Sequence, residues 1–258
     1  MTTKYEMSDD VAIVTLNRPE RFNAINADLS ASLIAALGQA ADEARAVVLT
    51  GEGKAFCSGA DLSGFVDEYQ DKRPDLAKHL EDEFHPMVRA ISECPLPVVA
   101  AVNGVAAGAG LGVALSCDIR VLASSAYFTS AFTAIGLAPD SGTTWLLPRH
   151  LGVSTALELA LTNRRMGADE ALERGLCAAV VDDGKSVEAA MEYAARLAEL
   201  PTDALVSTRR LIRGSTNLTY LEGLEAEKAE QGRLGHTAEH HEGVMAFLEK
   251  RRPDFRQS

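Results

Sequence analysis

Positive charge is in short supply in this chain: 25 lysines and arginines stand against 37 aspartates and glutamates, for a formal net charge of −12. That balance argues against broad, non-specific nucleic-acid binding, which rests on neutralising phosphates, and confines any small anionic ligand to a local cluster of basic residues. Cysteine is also sparse. Cys57, Cys94, Cys117 and Cys177 form no C-x-x-C pair and have no histidine cluster beside them, so neither a zinc site nor a disulfide framework is expected. Buried, reduced thiols in a cytoplasm fit better. No leader is visible, because "MTTKYEMSDDVAIVTL" places acids before a short apolar stretch. Aromatics are few, as in many soluble globular chains, and 258 residues suffice for one large α/β domain with an appendage.

One run lacks charge altogether. "VVAAVNGVAAGAGLGVALSC" (Val98 to Cys117) approaches the length of a membrane span and carries G-x-x-x-G spacing at Gly104 and Gly108. Pro95 and Pro97 precede it, however, and Asn103–Gly104 reads as a turn. A buried strand, a glycine loop and a buried helix explain the run without a membrane.

Strands and helices alternate over most of the chain. "VAIVTL", "RAVVLTG", "PVVAAV", "IRVLAS" and "CAAVVDD" read as strands. Asn26 can cap a helix whose Leu29, Leu33, Leu37 and Ala40 recur at helical spacing. Leu76, Leu80, Phe84, Met87, Val88 and Ile91 mark another, with Pro86 inside the pattern, so His85 is expected at a helix break. Beyond Ser186 the pattern is helical only. The alternation means an α/β fold, and the switch means a helical appendage.

Two stretches invite a nucleotide reading and fail it. In "GKAFCSGAD" Lys54 is followed by Ala55, not Ser or Thr, and Gly108, Gly110 and Gly112 are spaced G-x-G-x-G. What the second stretch offers is a strand running through small residues into a helix start. Free N–H groups and the helix dipole there suit an oxygen that becomes an oxyanion. The same small residues also serve close helix–sheet packing. In "GLAPDSGTTWLLPR", Asp140 is a lone acid among Ile135, Leu137, Ala138 and Trp145. It reads either as a desolvated acid–base or as a helix N-cap. Cys57 and Ser141 have no visible base and orienting partner, and packing and helix capping respectively account for them.

Together these stretches resemble the enoyl-CoA hydratase/isomerase (crotonase) superfamily over nearly the whole chain. The residues that carry the likeness are "TGEGKAFCSGADL", "PVVAAVNGVAAGAGLGVALSCDIRVLASSAYF" and "GLAPDSGTTWLLPRHLG". Within that superfamily the likeness is closest to isomerases of ring-epoxidised phenylacetyl-CoA and related enoyl-CoAs. The resemblance implies an α/β spiral of β-β-α units over residues 1–195 and C-terminal helices over 196–258 that build a homotrimer or a dimer of trimers. It implies an acyl-CoA thioester substrate, with coenzyme A as part of that substrate, and no separate cofactor, metal, nucleic-acid partner or membrane. The thioester oxygen would be held by the N–H groups of Ala60 and Ala109, with Gly108 and Gly110 on either side of Ala109 also against the substrate. Ala55, Phe56, Ser58 and Asp61 would lie along the coenzyme, with Phe132 against the acyl group. Phe247 and Lys250 would reach a neighbouring subunit's site. Arg18, Arg21 and Lys54 could add positive charge, although a solvated surface suits all three.

The departures from the family pattern bear on the reaction. Hydratases hold water between two glutamates, and the matching positions here are Gly112 and Phe132. A double-bond shift needs only one group that removes a proton and returns it. Asp140 falls where the isomerase-like relatives carry their aspartate. His85 matches a histidine of the 4-chlorobenzoyl-CoA dehalogenases, which have tryptophan where this chain has Phe132. The expectation is thus an enoyl-CoA isomerase working through Asp140. A hydratase, a dehalogenase-type hydrolase and a silent acyl-CoA- or RNA-binding relative are the alternatives, and His85, Asp67 and Glu68 are the next candidate bases.

Overall fold

The computed structural model describes residues 1–71 and 73–256. Its strands are β1 (Thr3–Ser8), β2 (Val11–Leu16), β3 (Ala46–Gly51), β4 (Ala55–Cys57), β5 (Val98–Val102), β6 (Val105–Ala107), β7 (Ile119–Ala123), β8 (Tyr127–Thr129), β9 (Met166–Gly167) and β10 (Ala179–Val181). One sheet runs β1-β2-β3-β5-β7-β10 and the other β4-β6-β8-β9. The pairs β3–β4, β5–β6 and β7–β8 each leave one strand in the first sheet and the next in the second, and helix then carries the chain to the following turn. This is the expected β-β-α spiral, with successive turns paired in parallel. Parallel strands covered on both faces need continuous apolar runs. "AVVLTG" of β3 and "VVAAV" of β5 supply them, with every residue buried.

The helices fill the space between turns. They are α1 (Ala27–Glu43), α2 (Val66–Asp71), α3 (Leu76–His79), α4 (His85–Ser92), α5 (Ala109–Ser116), α6 (Thr143–Thr162), α7 (Ala168–Glu173), α8 (Ser186–Ala198), α9 (Thr202–Ser215), α10 (Tyr220–Leu234) and α11 (Ala238–Glu249). Asn26 caps α1 as expected, its Oδ1 accepting the Leu29 N–H at 3.0 Å, and Leu29, Leu33, Leu37 and Ala40 turn into the core. The uncharged run becomes β5, β6 and the eight-residue α5, which is buried on every side. Among the described residues no helix is long and apolar enough to cross a membrane. All four cysteines are buried and free.

Pro86 does not break the chain into two helices. Residues Leu80–Phe84 form a π-helical turn, and the His85 N–H donates to the Leu80 carbonyl. The wider turn absorbs the residue that has no N–H, so His85 keeps helical dihedrals (φ −64°, ψ −44°). The expected break at His85 is therefore corrected to a bulge.

The helical end is tied to the spiral in two ways. Ala190, Ala194 and Ala198 of α8 pack on Val48, Val99 and Val121 of the first sheet, so this helix, which contains residue 195, belongs with the spiral. Arg209 and Arg213 of α9 reach Asp118 at 3.0 and 3.1 Å. Beyond them, Leu221, Phe247 and Leu248 stand exposed on α10 and α11.

Candidate active site

Two strand ends meet where the two sheets adjoin. β4 runs into Ser58-Gly59-Ala60, and β6 runs into Gly108-Ala109 at the start of α5. Both glycines hold positive φ, +99° at Gly59 and +54° at Gly108, which bends each loop so that its following N–H is exposed. The loops touch: a Cβ on Gly59 would lie 2.9 Å from the Ala107 carbonyl oxygen and 3.4 Å from the Ala109 nitrogen. Among the described residues, neither the Ala60 nor the Ala109 N–H donates to another backbone group. Ala109 is the first residue of α5, so its N–H also carries the positive end of the helix dipole.

Both loops line a cavity of about 470 Å³. Leu62, Leu80, Phe84, Phe132 and Leu137 make most of it apolar, and Asp140 stands in its wall. Burial pushes the Asp140 carboxyl above the ordinary carboxylate range, against a hydrogen bond from the Ser141 hydroxyl and the positive field of His85. That hydrogen bond joins Ser141 Oγ to Asp140 Oδ1 at 2.7 Å. Two larger cavities, of about 590 and 860 Å³, lie where α9 meets the core. Neither contains the two free N–H groups or Asp140, so the smaller one is the candidate site.

The structure removes the capping reading of Asp140. α6 begins after Gly142 with no side-chain cap, and the bond the Thr143 N–H makes is to the backbone carbonyl of Asp140, at 2.8 Å. Ser141 caps nothing either, since its hydroxyl is spent on Asp140. Both positions matched to hydratase glutamates are closed. Phe132 fills one, 6% exposed. At Gly112 a Cβ would lie 2.5 Å from the Ser141 carbonyl oxygen and 2.9 Å from its Cβ, leaving no room for any side chain.

The other expected residues divide. Ser58, Ala60, Gly108, Ala109, Phe132 and Asp140 come together on the cavity. Ala55 and Phe56 do not: they are 1% and 0% exposed, because β4 is covered on both faces, and ligand contact through them is corrected to a packing role. Gly110 is also corrected. It faces the core, where its missing Cβ makes room for the Cys57 carbonyl, 2.2 Å from where that Cβ would be. Asp61 caps a short 3₁₀ turn through the Ser63 N–H and pairs with Arg18 at 2.7 Å. The Ser63 hydroxyl and then Arg18 hold its carboxyl below the usual range. Arg18 is thus paired and largely buried and is not a solvated cation. His85 is exposed and does not line the cavity, so it acts on Asp140 through its field and not by contact. Phe247 is 82% exposed on a separate groove, and Lys250 closes α11 in a left-handed conformation. The side chains of Asp67 and Glu68 lie outside the described residues.

Sequence reasoning missed one residue. His79 lines the cavity, and its Nδ1 lies 2.8 Å from Glu83 Oε1. The i, i+4 spacing on a helix was the available signal.

A family model described as enoyl-CoA hydratase/isomerase matches residues 6–258. A Rhodobacter capsulatus protein named as a probable enoyl-CoA hydratase is 45% identical over 254 residues, covering 98% of this chain and 97% of its own. The 1,2-epoxyphenylacetyl-CoA isomerase of Escherichia coli K12 is 42% identical over 247 residues, covering 95% and 94%. Among solved structures, an enoyl-CoA hydratase from Polaromonas sp. JS666 superposes with a TM-score of 0.92 at 35% identity, covering 98% of each chain.

Proposed function

The chain belongs to the enoyl-CoA hydratase/isomerase family, whose members act on acyl-CoA thioesters, and on that footing we propose that it is an enoyl-CoA isomerase. The observation that carries this reading is that, among the described residues, Asp140 is the single carboxylate lining the cavity. Asp140 shares an apolar cavity with two unshared N–H donors, while the positions where a hydratase would need its glutamates are closed by Phe132 and by the contact at Gly112.

The geometry supports a one-base double-bond shift. The thioester oxygen sits between the Ala60 and Ala109 N–H groups, which stabilise the enolate that forms when a proton leaves. Asp140, ionised, takes that proton from the α or γ carbon. The electron pair moves toward the oxygen, and the double bond shifts as Asp140 returns the proton to the other carbon. Burial raises the basicity of the carboxylate, so that it can both accept and give up the proton. The apolar wall keeps water from quenching the enolate.

One observation favours a second reading, hydration. His79, held by Glu83, stands on the same cavity and could position a water molecule. A dehalogenase-type reaction finds less support, since the match to it rests on His85, which is off the cavity.

The experiment is Asp140→Asn, assayed with a 3-enoyl-CoA for double-bond shift and with a 2-enoyl-CoA for hydration. Asparagine keeps the shape and can still accept from Ser141, so binding and folding should persist while isomerisation falls about 100- to 10,000-fold. In D₂O the parent should leave deuterium in the isomerised product. An Asn variant that isomerises at the parent rate removes Asp140 from the chemistry. A parent that hydrates 2-enoyl-CoA and does not shift the 3-enoyl bond transfers the assignment to the second reading.

A further inference from the structure

Ser141 is 1% exposed and holds φ at +50°, in the left-handed region that residues other than glycine seldom occupy. Its backbone is fixed from both sides. The Asp140 carbonyl before it accepts the Thr143 N–H at 2.8 Å, and α5 packs so closely that Gly112 leaves no space above the Ser141 carbonyl. The side chain on this fixed backbone is aimed at the preceding carboxylate, with Oγ 2.7 Å from Asp140 Oδ1. An O–H···O⁻ bond of that length is of the charge-assisted kind, stronger than one between neutral groups. The residue is neither a cap nor a nucleophile, and a strained conformation is maintained at it.

We propose that Ser141 is a positioning residue for Asp140: its hydroxyl grips Oδ1, leaves Oδ2 to exchange the substrate proton, and stabilises the ionised form that the reaction starts from. The proposal rests on the reading of Asp140 as the acid–base group. It explains why a polar side chain is buried at this point. Burial alone drives the carboxyl toward its neutral form, which cannot take a proton. The hydroxyl acts in the opposite sense and fixes the rotamer as well. Other groups face the same place. His85 on α4 adds positive field when protonated, and His79 with Glu83 lines the cavity. Arg89, Glu93 and the arginines of α9 line the cavity behind Ser141.

The test compares Ser141→Ala and Ser141→Gly with the parent and with Asp140→Asn. Two quantities are followed: the titration of the Asp140 carboxyl by ¹³C NMR, its signal assigned by its absence in Asp140→Asn, and the acidic limb of kcat against pH for isomerisation. Removal of the hydroxyl should move the carboxyl titration to higher pH in both variants and carry the acidic limb with it. At neutral pH kcat should fall roughly tenfold, as for loss of a hydrogen bond to a charged group, with KM little changed. Glycine relieves the left-handed strain and alanine does not, so equal shifts in the two assign the effect to the hydroxyl and not to the backbone. Superimposable titrations in parent and both variants would overturn the proposal and leave Asp140 untouched. Should Asp140→Asn turn over at the parent rate, the reading of Asp140 fails first and the catalytic role of Ser141 fails with it, whatever the carboxyl titration does.

Discussion

Gly112→Ala puts the packing argument to a quantitative trial. The new Cβ would sit 2.5 Å from the Ser141 carbonyl oxygen and 2.9 Å from the Ser141 Cβ. Carbon and carbonyl oxygen rest at about 3.3 Å or more, so the α5 backbone and the Asp140–Ser141 turn must separate by roughly 0.8 Å. No rotamer change relieves a contact with backbone. Helix propensity favours alanine by about 1 kcal/mol at an interior position. Overpacking in a filled core opposes it by about 1–3 kcal/mol, so the net is a loss of up to about 2 kcal/mol. For a chain of this size that corresponds to a Tm lower by up to roughly 8 °C. Activity should suffer more than stability, because the turn that moves carries Asp140, and a misplacement near 1 Å can cost about 100-fold in rate. Gly38→Ala is the control. Gly38 is exposed on α1 with nothing within 4 Å of the added atom, so only propensity acts there, and stability should rise by about 0.5–1 kcal/mol with turnover unchanged. Thermal unfolding and isomerase turnover of the two variants, measured together, decide the matter. A Gly112→Ala protein as stable and as active as Gly38→Ala would refute the claim that this contact closes the position to a side chain.

Ala109→Pro deletes one of the two N–H donors at the first residue of α5, where proline is well tolerated, so the protein should fold by circular dichroism and lose about 100- to 1,000-fold in turnover. Ala60→Pro should cost a comparable factor, and a folded Ala109→Pro variant with full activity would place the thioester oxygen elsewhere. Light scattering should return a trimer or a hexamer at micromolar concentration, because Leu221, Phe247 and Leu248 present more apolar surface than a monomer keeps in water. A monomer would remove any role of Phe247 and Lys250 in a neighbour's site.

Legibility in the sequence followed the length of the element. β3 and β5 could be read because parallel strands covered on both faces are continuous apolar runs, and α1 because a capped helix with one buried face repeats its leucines. The second sheet could not be read from pattern. β4, β6 and β8 are three residues each, too short to show an alternation of two, and only the family resemblance implied the spiral that joins them. Pro86 misled for a related reason: proline removes one hydrogen bond, and a π turn accommodates that without ending the helix. At the candidate site, pattern gathered residues near the cavity better than it told those that line it from those behind them. Ala55 and Phe56 sit inside a matching motif, but a motif is silent on which of its members face the ligand and which support it. His79 escaped because the helix expected over Leu76 to Ile91 was marked by its apolar positions, which do not single out the polar pair His79 and Glu83 between them.

On the proposed isomerase reading, the lone acid in an apolar turn is accounted for by the work a one-base isomerisation demands. A group that must take a proton from carbon and give the same proton back is most effective when neither form is strongly preferred. A solvated aspartate stays ionised and is a weak base. A fully buried one stays protonated and cannot begin. In this chain the two tendencies are set against each other at one residue: burial raises the carboxyl, and the Ser141 hydroxyl and the field of His85 lower it. α5 packs on the Asp140–Ser141 turn so closely that Gly112 is denied a side chain, so no second carboxylate is available at that position to compete for the proton or to hold a water. Hydration by two glutamates would require α5 to stand further from the turn. The closed glutamate position and the placement of Asp140 therefore depend on one contact, between α5 and the Asp140–Ser141 turn, and a variant that forces a side chain in at residue 112 should displace Asp140 and lower turnover.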